Sequence, residues 1–323
     1  MKIVIPGGTG QLGRILRRAF RGSGHEVVVL GRRGRSEVVG WDGRNFGPWV
    51  REIDGADVVI NLAGRSVDCR YTAANLREMM DSRVFSTRIV GQAIAQASRP
   101  PRVWLQMSTA TIYAHRFDTN NDEATGIIGG NEPDAPAYWR YSIDIAQAWE
   151  RTANEAVTPR TRKLALRTAM VMSTEPACVF SILLGLTRFG LGGTLGSGRQ
   201  YMSWLHEDDF IRSVEFLIER DDIEGVVNLA APHPLPQREF MAVLRRAWGI
   251  GFGIPATEWM LELAALVHRT DTELLLKSRR VVSGRLHNAG FKFLHSEWEA
   301  AARNLVDRWR RARRRPLTQP TGA

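Results

Sequence analysis

Short apolar runs alternate with longer amphipathic stretches along the first 175 residues of the chain. Such alternation predicts parallel strands joined by helices, and therefore an α/β sheet. A later apolar run at 225–229 follows a predicted helix at 208–219, and we expect it to return to the same sheet. The remaining predicted strands are 2–5, 26–30, 57–62, 103–107 and 164–172, and the remaining predicted helices are 11–21, 73–97, 142–156 and stretches after 237.

A glycine-rich segment, PGGTGQLG at residues 6–13, separates the first predicted strand from the first predicted helix. In this context Gly7 allows a tight turn, Gly10 lets the backbone approach a pyrophosphate, and Gly13 lets the helix pack closely on the strand. The N–H groups and the positive dipole end of the helix N-terminus favour phosphates. The segment therefore predicts dinucleotide binding, with a ligand-free glycine turn as the alternative. The predicted contacts are Gly7, Gly8, Thr9, Gly10, Gln11, Leu12 and Gly13.

The end of the second predicted strand carries arginines where an NAD-binding protein has a carboxylate for the ribose 2′-hydroxyl. The residues after Leu30 are Gly31, Arg32 and Arg33, and the first acid is Glu37. A planar guanidinium can make bidentate hydrogen bonds to a phosphate. We predict that Arg32 and Arg33 read the 2′-phosphate of NADP(H), and ordinary surface arginines are the alternative.

These patterns predict a Rossmann-type doubly wound parallel sheet with a smaller, mostly helical C-terminal region. Residues 1–175 form the expected dinucleotide-binding domain, and residues 205–231 are expected to complete its sheet. Residues 176–204 and 232–307 form the expected substrate-side region, and residues 308–323 form a basic tail.

The composition is that of an ordinary globular chain, with 44% hydrophobic and 24% charged residues among 323. This balance argues against disorder. No apolar run approaches the roughly 18 residues that a membrane span needs, so we expect no membrane partner. The longest candidate run is 259–267. Because two cysteines are too few for a disulfide framework and the N-terminus lacks a signal-peptide pattern, we expect a cytoplasmic protein.

The formal net charge of +10 comes from 40 arginines and only four lysines. Six of the arginines lie close together near the C-terminus. A tail of this kind binds nucleic acid or acidic lipid, or it is the solvated end of the last helix, with cations near the helix C-terminus. We favour the solvated helix end and expect no nucleic-acid partner. The six residues are Arg308, Arg310, Arg311, Arg313, Arg314 and Arg315.

The chain resembles the extended short-chain dehydrogenase/reductase superfamily in its GxxGxxG spacing and in NLAG at residues 61–64. The segment GSGRQYMSWLHEDD at 196–209 is similar to a signature of an atypical, epimerase-like subgroup of the NAD-dependent epimerase/dehydratase family. That subgroup has a DUF1731 C-terminal domain, and the resemblance runs from residue 1 to about residue 302. It implies cofactor contacts at Leu62, Ala63, Gly64, Ser108 and Arg167.

The superfamily uses a tyrosine and a lysine spaced YxxxK, because a tyrosine with a pKa of about 10 needs a nearby cation to act as a base at neutral pH. None of the five tyrosines has a lysine four residues later. A hydroxyl bonded to a polarised carbonyl can still donate a proton. The resemblance implies that Ser108 lies beside the substrate carbonyl, that Tyr113 faces the nicotinamide, and that Tyr141 opens the helix of the catalytic tyrosine. For both tyrosines a packing role is the alternative.

Arg199 and Trp204 are the candidates for the substrate side, because similar proteins place this segment over the cofactor cleft. Arg199 favours an anionic small-molecule substrate. His206 and Asp209 have the spacing of a metal or acid–base pair, but no HExxH or paired CxxC motif accompanies them. We expect no metal, and a structural histidine with Asp208 or Asp209 capping the following helix.

The sequence predicts an NADP(H)-dependent oxidoreductase or epimerase/dehydratase-like protein that acts on a small carbonyl or sugar-like substrate without the YxxxK relay. The alternative is a non-catalytic NADP(H)-binding regulator or redox sensor with a protein partner, since some members of the resembling subgroup are described as cell-division inhibitors. The chain contains no GxSxG and no GxxxxGK, which excludes the usual hydrolase and NTPase sites.

Overall fold

A seven-stranded parallel sheet forms the centre of the protein, which the computed structural model describes at residues 1–34, 37–133, 135–256 and 273–314. Strands are named in chain order. Those of this sheet are β1 (Lys2–Pro6), β2 (Glu26–Gly31), β3 (Val38–Gly40), β4 (Val58–Asn61), β5 (Val103–Thr109), β6 (Arg162–Thr168) and β10 (Gly225–Leu229). Their spatial order is β10-β6-β5-β4-β1-β2-β3, and each neighbouring pair is parallel.

Helices cover both faces of this sheet. α1 (Gln11–Gly22) and α6 (Glu207–Glu219) pack on one face, and α3 (Ala73–Gln96) and α4 (Arg140–Glu155) pack on the other. The short helix α2 (Val50–Ile53) contacts α3. A parallel sheet with helices on both faces is the doubly wound arrangement, so the predicted Rossmann-type fold is confirmed.

Strand residues are apolar on both sides because both faces of the sheet are covered. Ile3 and Ile5 join the core under α1 and α6, whereas Val4 joins the core under α3. All three side chains are fully buried. Successive side chains of a strand point to opposite faces, so a continuous apolar run marks a strand that is buried on both sides. This is why short apolar runs located the strands of the sheet.

The predicted strand at 164–172 is wrong in its extent, because the structure breaks it at Ala169. The Ala169 N–H donates to the carbonyl oxygen of Leu229, at 2.9 Å. The following strand β7 (Met170–Met172) leaves the large sheet and pairs in parallel with β9 (Trp204–His206). This change of partner leads the chain from the sheet into the C-terminal region.

The C-terminal region packs around a separate apolar core and is mostly helical, as predicted. A small antiparallel pair of strands, β8 (Tyr201–Met202) and β11 (Leu235–Pro236), lies within it. The apolar run at 259–267 lies outside the described residues. Among the described residues no helix is long and apolar enough to cross a membrane. The described helices here are α5 (Val179–Arg188), α7 (Gln237–Trp248), α8 (Glu273–Leu276), α9 (Gly284–Asn288) and α10 (Trp298–Arg314).

Arginines at the end of α10 make contacts within the protein. Arg308 donates to both carboxylate oxygens of Asp208, and Arg310 donates to the carbonyl oxygen of Trp248 at 2.8 Å. The guanidinium of Arg313 lies 4.3 Å from the ring centre of Trp309. These contacts support the interpretation of the basic tail as a helix end. Its last arginine, at 315, lies outside the described residues.

Candidate cofactor site

The glycine-rich loop after β1 has a backbone that side chains would disrupt. Gly7 has φ +76°, and a Cβ atom there would lie 2.7 Å from the backbone of Ala63. A Cβ atom on Gly13 would lie 2.4 Å from the Cα atom of Gly8. The first distance shows that the loop lies against the segment that follows β4. The second shows that α1 packs closely against the loop. The structure therefore uses these glycines for close approach, as the sequence predicts.

The N-terminus of α1 is open and polar. A Cβ atom on Gly10 would meet one neighbour, the Gly7 carbonyl oxygen, at 3.5 Å. Gly10 is the N-cap and offers no side chain, and the first turn contains no acid. Within the described part of the chain, the N–H groups of Gln11, Leu12 and Gly13 have no protein acceptor. Open space, unpaired N–H groups and a positive dipole end suit the phosphates of a dinucleotide.

Buried Asn61 orients the NLAG segment beside this loop. Its side-chain amide donates to Oε1 of Gln106 at 2.9 Å, and its Oδ1 accepts from the N–H of Ala63 at 3.1 Å. The N–H of Leu62 donates to the carbonyl oxygen of Pro6 at 2.8 Å. The segment therefore lies against the glycine loop at the carboxyl ends of β1 and β4, where ligands bind in open α/β sheets.

Arg32 and Arg33 are exposed just beyond the end of β2. Glu37, the first acid after this strand, accepts from Arg21 at 3.0 Å and lies 3.9 Å from Arg17. Glu37 is therefore engaged by α1, and two guanidinium groups remain at the strand end where the 2′-position of a dinucleotide is expected. This arrangement supports the predicted preference for a 2′-phosphate.

Ser108 at the end of β5 is buried and donates to Oε1 of Glu150 at 2.5 Å. The same carboxylate accepts two hydrogen bonds from Arg167, both at 2.8 Å. Burial lowers the pKa of Arg167, but the bidentate contact with Glu150 outweighs it and the net shift is upward. Ser108 and Arg167 are thus connected through Glu150, a residue that the sequence did not single out because it lies mid-helix without a motif.

Tyr113 extends this network. Its hydroxyl accepts from Arg167 at 3.0 Å and donates to Oδ1 of Asn228 at 2.9 Å. The side chain is 2% exposed, and burial raises the pKa of the phenol although Arg167 opposes the shift. In this structure the hydroxyls of Ser108 and Tyr113 both donate hydrogen bonds to other protein side chains.

The other predicted site residues lie in different surroundings. Tyr141 is half-buried in the first turn of α4, and Arg199 is exposed with its guanidinium 5.8 Å from the ring centre of Phe117. Trp204 is fully buried, and its ring centre lies 5.1 Å from that of Trp298. A substrate contact at Trp204 stays a prediction, and the enclosure of its ring in the C-terminal core speaks against it.

Lys277, which no sequence motif indicated, lies beside the segment after β5. Lys277 is 2% exposed, donates to the carbonyl oxygen of Thr111 at 2.9 Å, and lies 3.6 Å from Glu273. Burial lowers its pKa to about 8, although Glu273 opposes the shift. The side chain borders a cavity of about 260 Å³ at the start of α4. The cavity is lined by Glu132, Pro136, Trp139, Arg140, Ile143 and Lys277.

His206 caps α6 with its own side chain, since its Nδ1 accepts from the N–H of Asp208 at 3.1 Å. The expectation that Asp208 or Asp209 caps this helix is therefore wrong. Asp209 instead accepts from the backbone N–H groups of Leu294 and His295, each at 2.8 Å. The histidine thus has the structural role that the sequence predicted, by a different contact.

Ligand atoms of His206, Asp208 and His295 lie within 4.8 Å of one another. Both carboxylate oxygens of Asp208 already accept from Arg308, at 2.8 and 2.5 Å. A cation placed among these groups would lie next to the guanidinium, which disfavours binding. The cluster is better described as a charge network that ties α6 to α10.

Known proteins share this architecture along nearly the whole chain. The model of the NAD dependent epimerase/dehydratase family matches residues 3–230, and that of the domain of unknown function DUF1731 matches residues 256–305. The epimerase family protein YfhF of Bacillus subtilis is 28% identical over 314 residues, covering 95% of this chain and 98% of the relative. Human epimerase family protein SDR39U1 is 26% identical over 309 residues, covering 95% of this chain and 100% of the relative.

Solved structures agree with these likenesses. The crystal structure of human SDR39U1 (isoform 2) with NADPH has a TM-score of 0.83 and 25% identity, covering 95% of this chain and 99% of that chain. The nucleoside-diphosphate sugar epimerase from Corynebacterium glutamicum has a TM-score of 0.74 and 23% identity, covering 95% of this chain and 58% of that chain. The second likeness shows a common fold.

Proposed function

Because the chain belongs to the NAD-dependent epimerase/dehydratase family, we propose that it binds NADP(H) and performs redox chemistry on a small carbonyl or sugar-like substrate. The observation that carries this proposal is the open N-terminus of α1, whose N–H groups at Gln11, Leu12 and Gly13 have no acceptor among the described residues. The similar human protein was solved with NADPH, which supports the choice of cofactor.

Named residues hold the cofactor in this proposal. The glycine loop binds the pyrophosphate with backbone N–H groups, and Arg32 and Arg33 bind the 2′-phosphate. The NLAG segment, oriented by Asn61, lies along the adenine and ribose. The nicotinamide, when bound, supplies the hydride donor or acceptor.

The substrate lies at the carboxyl end of β5 in this proposal. Ser108 is held there by Glu150, which is also the partner of Arg167, so the orientation of the hydroxyl depends on that ion pair. Lys277 brings a positive charge to the carbonyl of Thr111, just beyond the same strand. A buried ammonium stabilises negative charge on a substrate oxygen and favours an anionic or strongly polarised substrate.

A regulator without turnover is the second candidate. It is favoured by the hydroxyl of Tyr113, which has both a donor and an acceptor within the protein, and by the absence of a YxxxK spacing at all five tyrosines. To donate its proton to a substrate, this phenol must break its hydrogen bond to Asn228. In this case NADP(H) would report the redox state of the cell to a protein partner.

Titration of the purified protein with NADPH and NADH, followed by nicotinamide fluorescence, tests cofactor binding. Tight NADPH binding and weak NADH binding are expected, and failure to bind either would refute the proposal. A screen of carbonyl compounds by loss of NADPH fluorescence then separates the two candidates. Turnover that falls at least tenfold in Lys277→Met, with NADPH binding intact, supports the enzyme. NADPH that exchanges but is never oxidised supports the regulator.

A further inference from the structure

Arg83 on α3 is a buried cation at the edge of the candidate cofactor site. Its side chain lies directly beneath Gly64, the last residue of the NLAG segment. A Cβ atom on Gly64 would lie 3.2 Å from Cζ and 3.4 Å from Nε of this arginine. The residue is 9% exposed, so the guanidinium is largely shielded from solvent.

Among the residues that the structure describes, Arg83 has no acidic partner. One N–H donates to the carbonyl oxygen of Met79, at 3.0 Å, within its own helix, and the guanidinium lies 4.9 Å from the ring centre of Trp149. Across the described ranges, no carboxylate lies within 4.0 Å of it. The titratable neighbours that affect it are Tyr71 and Cys69, a phenol and a thiol. Burial lowers the pKa of the guanidinium to about 10.

Two other arginines, whose side chains are only 11% and 12% exposed, show how this protein normally compensates such a charge. Arg167 makes a bidentate ion pair with Glu150. Arg162 donates three hydrogen bonds to backbone carbonyl oxygens, at Ile223, Leu217 and Ile218, at distances of 2.7 to 3.2 Å. Burying an uncompensated charge is unfavourable, and such charges are normally paired. The positive charge of Arg83 therefore remains uncompensated by an anion within the described residues.

The position of Arg83 indicates where that anion comes from. Gly64 directly follows Ala63, whose backbone would be 2.7 Å from a Cβ atom on Gly7. The arginine thus lies behind the segment that contacts the glycine loop, at the same edge of the sheet as the open N-terminus of α1. A guanidinium is suited to phosphate because its planar N–H groups match phosphate oxygens.

We infer that Arg83 is the counter-ion for a phosphate group of the bound dinucleotide, which completes the pairing of its buried charge. The inference rests on the proposed binding of NADP(H). The buried charge of Arg83 therefore lowers the stability of the free protein and raises the affinity for NADP(H).

Two variants and one control test this assignment in the full-length protein. Arg83→Met keeps an unbranched apolar side chain and removes the charge, and Arg83→Lys keeps the charge. Arg162→Met removes a largely buried arginine at the amino end of β6, whose charge is already compensated by backbone carbonyl oxygens and by Asp221 at 3.7 Å. The measurements are the melting temperature without cofactor and the Kd for NADPH by nicotinamide fluorescence, at several salt concentrations.

Arg83→Met is expected to keep or raise the melting temperature of the free protein and to weaken NADPH binding at least tenfold, with a smaller salt dependence of Kd. Arg83→Lys is expected to recover part of the affinity, whereas Arg162→Met lowers the melting temperature and leaves Kd within twofold. If Arg83→Met behaves like the control, or if the control weakens binding equally, the assignment is overturned. A wild-type protein that binds no NADPH overturns the proposed function as well, so the two failures are distinguishable.

Discussion

The carboxylate of Glu150 and the guanidinium of Arg167 form a bidentate ion pair with both hydrogen bonds at 2.8 Å. Both side chains are 12% exposed, so the pair is largely removed from water. It joins α4 to β6 at the carboxyl end of the sheet and orients the hydroxyls of Ser108 and Tyr113. Stability and the geometry of the candidate site therefore depend on the same contact.

Removing one partner of this ion pair is expected to destabilise the protein. Glu150→Gln leaves Arg167 buried without its counter-charge, and the expected loss is about 3 kcal/mol of the free energy of unfolding. Chemical denaturation followed by circular dichroism measures it. Glu299→Gln, at the exposed pair with Arg303 on α10, is the control and should cost less than about 1 kcal/mol. Equal losses in both variants would contradict the role given to Glu150.

Close packing between α1 and the glycine loop predicts a contrast between two glycines of the same helix. A Cβ atom on Gly13 would lie 2.4 Å from the Cα atom of Gly8, whereas a Cβ atom on Gly22 has nothing within 4 Å. Gly13→Ala must therefore displace α1 from the loop, which lowers stability and abolishes NADPH binding. Gly22→Ala should be neutral or stabilise by up to about 1 kcal/mol. Thermal unfolding and NADPH titration of both variants measure the difference.

The arginines at the end of β2 predict cofactor preference. Arg32→Ala combined with Arg33→Ala is expected to weaken NADPH binding by at least about a hundredfold, because each of the two charge-assisted hydrogen bonds contributes about 1.5–3 kcal/mol. NADH binding should change less than threefold, since NADH lacks the 2′-phosphate. Removal of the charges of Arg303 and Arg311, both exposed on α10, is the matched control. An equal loss for NADH would show that the arginines act on the cofactor in general.

The fully buried His206 predicts an acid-sensitive step in stability. Burial, with the nearby charge of His295, lowers its pKa from 6.5 to about 3. Between these two values the unfolded chain binds a proton that the folded protein does not, so stability falls as the pH drops from 6.5 towards 3. One such proton gives a slope of at most about 1.4 kcal/mol per pH unit.

Denaturation curves at pH 7.5, 6 and 5 measure this slope, and below pH 4 Asp208 adds its own contribution. The pKa of this carboxyl is lowered because its contact with Arg308 outweighs burial. His206→Asn retains a side-chain oxygen for the cap of α6 and is expected to flatten the profile between pH 6.5 and 4. His287→Asn, at an exposed histidine, should leave it unchanged. A profile that is equally steep in His206→Asn would contradict the assignment.

Local patterns were sufficient for six of the seven strands of the central sheet and for the glycine loop. The apolar runs located its main strands because parallel strands are buried on both faces, and β3, with three residues, was too short to stand out. The loop at residues 6–13 was identifiable because its turn and its helix N-terminus depend on adjacent residues, whereas its close approach to Ala63 is a tertiary contact. The break at Ala169 was missed, since the change of strand partner depends on β9, more than thirty residues later in the chain.

Side-chain partners were decided by the tertiary structure. Glu150 and Arg167 are 17 residues apart and Tyr113 and Asn228 are 115 apart, so they meet only because of the order of the strands. The sequence alone determined the fold class and the phosphate-binding loop, because these follow from periodicity and from backbone conformation at glycine. Only the tertiary structure enclosed Trp204 in the C-terminal core and buried Arg83 where no described carboxylate pairs with it, because burial and charge pairing depend on which distant residues pack together.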